Sequence, residues 1–288
     1  MAQVALATCA ELPELDPDEQ LVLPELQQLG VDTQPAVWDS DAVDWSSYDL
    51  VVIRSTWDYQ DRRDQYLRWA ASLPRVLNPL PVLVWNTDKT YLRELSARDV
   101  ECVVTSWIEP GTDVDPLALP GGEVVVKPAV SAGSRNTERY HDARDPAARA
   151  HVQRLLDAGH TVMVQPYVAS VDVRGETSLL YIDGEFSHAI SKAATLLERG
   201  AAEGKLFAPE VITPAVPEPD DRAAAERVLD TLQWPRDELL YARVDIVHGD
   251  NGQPFLLEIE LTEPSLFFAQ GDEAAQRFAQ AIARRLDG

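Results

Sequence analysis

Cysteine is almost absent. Cys9 and Cys102 are the only two in 288 residues, and they fit no metal-ligand spacing. That excludes a disulfide framework and a thiolate zinc site, and it fits a reducing compartment. Long apolar runs are missing too; none approaches the roughly 20 residues of a membrane-spanning helix. The apolar stretch in "MAQVALATCAELPEL" has no basic segment before it and reads as a first strand rather than a secretion signal. Positive charge is scarce: 25 lysines and arginines face 48 aspartates and glutamates, a formal net charge of -23. Such a chain is a poor partner for a nucleic-acid backbone or an anionic membrane, both of which need cationic surface. The expected setting is the cytoplasm, with small-molecule partners, no nucleic acid and no membrane. The common nucleotide and hydrolase signatures are also missing: there is no GxGxxG, HExxH or GxSxG. "GAAEGKL" is one residue short of a Walker A loop and lacks its Ser/Thr. Any nucleotide must be held in another way.

What is present is a globular composition, 45% hydrophobic and 25% charged. The first 84 residues alternate strand and helix patterns: "QVALAT", "PDEQLVLPELQQLG", "DTQPAVW", "DLVVIRS" and "DRRDQYLRWAASL". This predicts a small doubly wound α/β lobe. In such lobes small ligands gather past the carboxyl ends of the strands. Arg54, Ser55, Thr56 and Asp58 fall there, and an arginine can grip a carboxylate in bidentate fashion. "NTDKTYLRELSARDV" predicts a helix capped by Asn86 or Asp88, with Lys89 in its first turn. A Pro- and Gly-rich linker follows, "EPGTDVDPLALPGG". Then come a strand ending at Lys127, a small-residue loop "PAVSAGS", and a buried strand "HTVMVQPYV". "GETSLLYIDGEFSHAISKA" is a hairpin about Asp183-Gly184. Residues 197–220 show no apolar period and are expected to be a long loop. A second hairpin, "ELLYARVDIVHGDNGQPFLLEIEL", and a final helix close the chain. Three lobes are expected, with boundaries at 1–84, 85–168 and 169–288.

The second hairpin carries the strongest chemical signal. Alternation puts Glu258 and Glu260 on one face of a strand whose other face carries Leu257, Ile259 and Leu261. Folding about "GDNG" sets Asp245 opposite Glu258 and Arg243 opposite Glu260. Three carboxylates on one face need cations to stay ionised at neutral pH. Their hard oxygens suit Mg²⁺ completed by phosphate ligands. A surface salt-bridge ladder with Arg243 explains the same pattern. Only four lysines occur, Lys89, Lys127, Lys192 and Lys205. Two of them sit at a strand end and a helix start, as point charges for phosphates do.

On the segments "IRSTWDY", "VVKPAVSAGSR", "VQPY", "RGETSLLYIDGEFSHAISK" and "LEIELTEPSLF", the chain resembles the ATP-grasp carboxylate–amine ligases over nearly its whole length. Within them it is most similar to the cycloserine synthetase group, the O-ureido-serine cyclo-ligases, beside glutathione-synthetase-like enzymes. The resemblance implies an ATP-grasp fold: α/β overall, with ATP held between two α+β lobes behind the N-terminal one. It implies ATP and Mg²⁺ as cofactors, with two ions expected and Mn²⁺ as a substitute. It implies phosphate contacts from Lys89, Lys127 and the loop residues Ser131, Gly133 and Ser134. Adenine would be read at Gln165, Pro166, Tyr167 and Val168, and ribose by Glu176. Lys192 would sit near the γ-phosphate. A strict two-residue turn sets Glu176 and Lys192 on opposite faces, so a bulge is required if both line the site. Asp245, Glu258 and Glu260 would hold the metal, and Arg243 would stabilise the transferring phosphate. Many relatives have Asn where this chain has Glu260.

The implied reaction activates a substrate carboxylate as an acyl phosphate and lets an amine displace the phosphate. In the cyclo-ligase case both groups belong to one molecule. An intermolecular amino-acid or peptide ligase, a non-catalytic nucleotide-binding protein and a scaffold are the alternatives. A small amino-acid-like substrate is expected between "IRSTWDY" and "TEPS", which adds Thr262 and Ser265 to the substrate residues. A homodimer is compatible with all of these readings.

Overall fold

Residues 4–7 and 50–53 carry no exposed side chain, as parallel strands covered on both faces require. In the computed structural model, which describes residues 2–112, 119–193 and 211–286, they belong to the first of three sheets. Strands β1 (Gln3–Thr8), β2 (Asp32–Val37), β3 (Leu50–Ile53) and β4 (Val76–Leu77) pair in parallel, in the order β2-β1-β3-β4. Helices α1 (Val22–Gln28) and α2 (Arg63–Ser72) flank them.

The second sheet is antiparallel. Strands β5 (Ser106–Ile108), β6 (Val124–Pro128), β7 (Glu138–Tyr140) and β8 (Val162–Pro166) lie in the order β5-β8-β6-β7. Helix α5 (Pro146–Asp157) covers one face. Asp145 caps it by accepting from the Ala147 N–H, and Pro146 fills the first helical position.

The third sheet orders β11 (Ile212–Ala215), β10 (Glu185–Lys192), β9 (Glu176–Ile182), β12 (Tyr241–His248) and β13 (Pro254–Glu260) as β11-β10-β9-β12-β13. Every residue of β12 is buried. The C-terminal helix α8 (Ala274–Leu286) returns to the first lobe and packs on α1. Its Phe278 and Ile282 share one core with Val4 and Leu6 of β1 and Leu180 of β9. No helix among the described residues is long and apolar enough to cross a membrane.

Several expectations need correction. Residues 80–86 form a helix, α3 (Leu80–Asn86), which the sequence pattern did not announce. The next helix, α4, spans Tyr91–Ser96. Lys89 therefore precedes α4 instead of lying in its first turn, with its N–H bonded to the Ala129 carbonyl. Asp88 accepts from the Thr90 N–H, while Asn86 caps nothing and is bonded to β13. The loop expected over 197–220 contains β11, paired with β10; residues 194–210, with Lys205, lie outside the described residues. So do 113–118 of the linker. Finally, β13 does not alternate throughout. A register shift after Asp245 leaves Leu257 as the extra residue. Leu256 and Ile259 are thereby buried, while Leu257 turns to the same cleft as Glu258 and Glu260.

The first hairpin contains the bulge that its chemistry demands. Asp183 and Gly184 both have positive φ, as a two-residue hairpin turn requires. The register then slips by one at Ser187, so that Lys192 pairs with Glu176. Gly175, just before β9, makes this close approach feasible. Its φ is +72°, and a Cβ there would lie 2.4 Å from the Lys192 carbonyl oxygen. Gly175→Ala should therefore destabilise the protein by at least about 2 kcal/mol, from the glycine-only conformation and the clash together. A urea midpoint unchanged from wild type would refute this account of the turn.

Candidate active site

The free edge of β13 is secured before its acids do anything. The Asn86 side chain donates to the Ile259 carbonyl at 2.8 Å and accepts from the Leu261 N–H at 2.7 Å. Tyr91 Oη donates to the same Ile259 carbonyl at 2.8 Å. An open edge would leave unpaired N–H and C=O groups; here α3 and α4 satisfy them with side chains. Glu258 and Glu260 are thus presented from a fixed strand.

Opposite them, Arg243 pairs with Glu260 and Asp245 with Glu258, the register that the hairpin pattern implies. Arg243 donates to both Asp245 oxygens, through Nε at 2.9 and 3.1 Å and Nη2 at 2.8 Å, and to Glu260. Lys192 Nζ lies 2.7 Å from Glu176 Oε1 and 3.3 Å from Asp245 Oδ2. Lys89 Nζ lies 3.6 Å from Glu258 Oε2 and donates to the Ser131 carbonyl at 2.7 Å. Lys127, at the end of β6, is buried without a hydrogen-bond or ion-pair partner among the described residues.

The electrostatics follow from this spacing. Burial opposes charge at Asp245, but Arg243 and Lys192 outweigh it and hold the carboxyl below the usual range. Burial also opposes charge at Glu258, where Lys89 and Lys127 win and hold the group at about 2. At Glu260 burial prevails over Arg243, and neighbouring Glu258 adds repulsion, so the carboxyl is pushed up to about 8. Burial likewise pushes Glu176 up to about 7 against the pull of Lys192. Lys127 is lowered by burial first, with Glu258 opposing and Lys89 reinforcing. One acid oxygen each from Asp245, Glu258 and Glu260 lies within 4.8 Å of the others. Hard oxygens at that spacing fit a divalent cation of the Mg²⁺ type.

These groups face a cleft of about 370 Å³ between the second and third sheets. Of the residues singled out from sequence, Lys89, Lys127, Ser131, Gly133 and Ser134 line it, as do Gln165, Pro166, Tyr167, Val168 and Glu176. Lys192, Arg243, Glu258, Glu260 and Ser265 do so too, with Asp245 directly behind. Gly133 and Ser134 are both left-handed. The Gln165 side-chain nitrogen is bonded to Thr105 Oγ1 at 2.9 Å.

Arg54, Ser55, Thr56 and Asp58, expected to meet the substrate, do not line the cleft. Arg54 is 1% exposed and forms a bidentate ion pair with Glu19, through Nε at 2.6 Å and through Nη2, which also donates to the Pro264 carbonyl at 2.6 Å. Its fork is saturated, so it cannot also grip a substrate carboxylate. Asp58 accepts from Trp38 Nε1 and Arg62. Thr56 meets Tyr66 Oη, and Ser55 accepts from the Asp16 N–H. Thr262 is buried and donates to Asn86 Oδ1. In their place the cleft shows Asp16, Trp57, Tyr59 and Glu263. The sequence hint for these is position alone: Trp57 and Tyr59 lie inside "IRSTWDY" and Glu263 inside "TEPS", while Asp16 lies outside both.

Three α/β sheets, with cations and acids converging between the second and third, define an ATP-grasp ligase. Residues 4–78 match the family model described as the N-terminal domain of D-cycloserine synthetase DcsG. The chain is 36% identical to the cycloserine biosynthesis protein DcsG of Streptomyces lavendulae, over 99% of each protein. The crystal structure of D-cycloserine synthetase DcsG superposes with a TM-score of 0.88, at 36% identity, covering 99% of this chain and 100% of that one. D-alanine–D-alanine ligase from Bacillus anthracis complexed with ATP shares the fold, with a TM-score of 0.67 at 14% identity over 99% and 97% of the two chains. The chain belongs to the D-cycloserine synthetase family.

The Arg54–Glu19 pair makes a sharp prediction. Arg54→Ala would strand a buried carboxylate, which costs about 3–5 kcal/mol. The denaturation midpoint should fall accordingly, while the still-folded variant keeps its nucleotide affinity. A wild-type midpoint combined with a raised substrate KM would instead place Arg54 on the substrate.

Proposed function

We propose that this chain is an ATP- and Mg²⁺-dependent carboxylate–amine ligase that closes a small amino-acid-like substrate into a ring, as its family name suggests. The observation that carries this reading is the shared face of Asp245, Glu258 and Glu260, with four basic side chains reaching it from three directions. The fold alone would suit any nucleotide-dependent ligase; family membership supports the cyclo-ligase chemistry. We take the lobes as residues 1–84, 85–168 and 169–288; that each span contains one of the three sheets supports this division.

In this reading Asp245, Glu258 and Glu260 hold Mg²⁺, which we take as two ions. Bound there, the metal neutralises phosphate charge and polarises the phosphoryl oxygens. Lys127 is the natural phosphate contact because it is buried, faces the cleft and has no carboxylate in salt-bridge range among the described residues. Lys89 and the loop carrying Ser131, Gly133 and Ser134 approach the same phosphates, the loop with backbone N–H groups. Adenine lies along Gln165, Pro166, Tyr167 and Val168, with Glu176 at the ribose. Because Gln165 already donates to Thr105, it offers its carbonyl oxygen. Arg243 and Lys192 offset charge on the acyl phosphate and on the tetrahedral adduct formed when the amine attacks. Ser265 borders the substrate. The two unpaired cysteines, Cys9 and Cys102, fit action in the reducing cytoplasm.

The test is ADP release, measured by a coupled assay with O-ureidoserine, together with the mass of the product. Wild type should form ADP and a cyclised product. Glu258→Gln and Glu260→Gln should each lower turnover by at least about 100-fold, as losing several kcal/mol of charge stabilisation implies. Wild-type turnover by either variant would remove the metal assignment, and a joined rather than cyclised product would favour an intermolecular ligase.

A further inference from the structure

Four successive carbonyls in the segment 262–265 are each held by a side chain from elsewhere. The Thr262 carbonyl accepts from Tyr241 Oη at 2.8 Å, and the Glu263 carbonyl from Trp57 Nε1 at 2.8 Å. The Pro264 carbonyl accepts from Arg54 Nη2 at 2.6 Å, and the Ser265 carbonyl from Arg243 Nη1 at 3.4 Å. A surface loop has no need of such restraint. The one acidic side chain in this clamped segment, Glu263, is only 8% exposed, and what is exposed faces the cleft.

Its surroundings are unusual for a carboxylate. Among the described residues no lysine, arginine or histidine nitrogen is in salt-bridge range of it. Its neighbour is the Tyr59 hydroxyl, and the charges that reach it are those of Lys89, Arg243 and Glu258 at the acid face. Trp57 and Tyr59 line the same part of the cleft boundary from the first lobe. A buried carboxylate without a cation is expensive unless one arrives. Burial pushes this group up to about 7. Phosphate cannot be that partner, because it carries the same sign.

Resting on the ligase reading above, we propose that Glu263 is the specificity-determining residue for the substrate's amino group. Its carboxylate accepts hydrogen bonds from the ammonium or amine, and Trp57 acts as a positioning residue by holding the Glu263 carbonyl, as Tyr241 and Arg54 do by holding the carbonyls on either side. The substrate class is an amino acid whose carboxylate points to Arg243 and the metal face while its nitrogen points to residue 263. A site built to hydrogen-bond a group rejects the analogue that lacks it, because a buried polar atom is left unpaired.

The experiment compares wild type with Glu263→Gln, an isosteric change that leaves the fold and the Tyr59 contact in place, and with Glu263→Asp. The probes are O-ureidoserine as substrate and its des-amino analogue as inhibitor. Glu263→Gln should raise the substrate KM by about 10- to 100-fold, with the KM for ATP within about twofold of wild type. The des-amino analogue should inhibit wild type and Glu263→Gln with similar Ki values, and Glu263→Asp should recover part of the substrate affinity. An unchanged substrate KM overturns the inference. So does an equal loss of affinity for the des-amino analogue, or a changed Mg²⁺ requirement, which would make Glu263 a metal ligand. The ligase reading is judged separately, by wild-type ADP release.

Discussion

Arg243 stands between Asp245 and Glu260 on the one strand whose eight residues are all buried. Everything else in the cleft is arranged around that contact. Three carboxylates at this spacing repel one another, and burial removes the water that would screen them. Arg243 offsets two of them, Lys192 adds to Asp245, and Lys89 and Lys127 act on Glu258. These cations come from different places: Lys127 from β6 of the second sheet, Lys192 from β10 of the third, Lys89 from the connection before α4. Their charges are brought together in the arrangement that the structure shows. The ion cluster therefore links the second and third sheets across the cleft.

The first lobe contributes in a less direct way. Its Arg54 is locked to Glu19, lies over the rings of Tyr241 and Phe278, and holds the Pro264 carbonyl. Asn78, just past β4, donates to the carbonyls of Tyr241 and Leu261 and accepts from the Leu240 N–H. These bonds tie the parallel sheet to both strands of the metal-type hairpin. A parallel lobe needs both faces covered, and α8 completes the cover by crossing back from the chain's end. The lobe thus gives shape to residues 262–265 without placing Arg54 on a substrate.

The hairpin chemistry was legible because period-two alternation is a local property. Arg243, Asp245, Glu258 and Glu260 could be placed on one face, and paired across the turn, from spacing alone. The need for a bulge between Glu176 and Lys192 was also readable, since an odd offset must be absorbed somewhere; that Ser187 absorbs it was not. The bulge at Leu257 escaped notice because Leu256 and Leu257 are equally apolar, so the pattern carries no mark of which one is buried. Arg54 was misplaced for a different reason. The rule that ligands gather past strand ends is sound for lobes that act alone, but here that edge is covered by the segment 262–265, some 200 residues later. Glu19 gave no warning, being one of 48 acids.

The sign of charge along the cleft then constrains how a substrate lies in it. With Arg54 occupied, the cations that face the cleft beside the acids are Arg243, Lys89, Lys127 and Lys192. A substrate carboxylate must approach that group, where phosphate charge is also handled. A substrate nitrogen is repelled there and, in the reading proposed above, goes to an acid without a cation in salt-bridge range among the described residues, of which Glu263 is the most buried. Glu263 follows Glu260 by three residues, so their Cα atoms lie about 10 Å apart at most, and the chain bends at Thr262 and Glu263. In the proposed reading, one small amino acid is gripped both at its carboxylate and at its amino group. Two grips on one molecule fix its orientation, which lowers the entropic cost of the step at its acyl carbon.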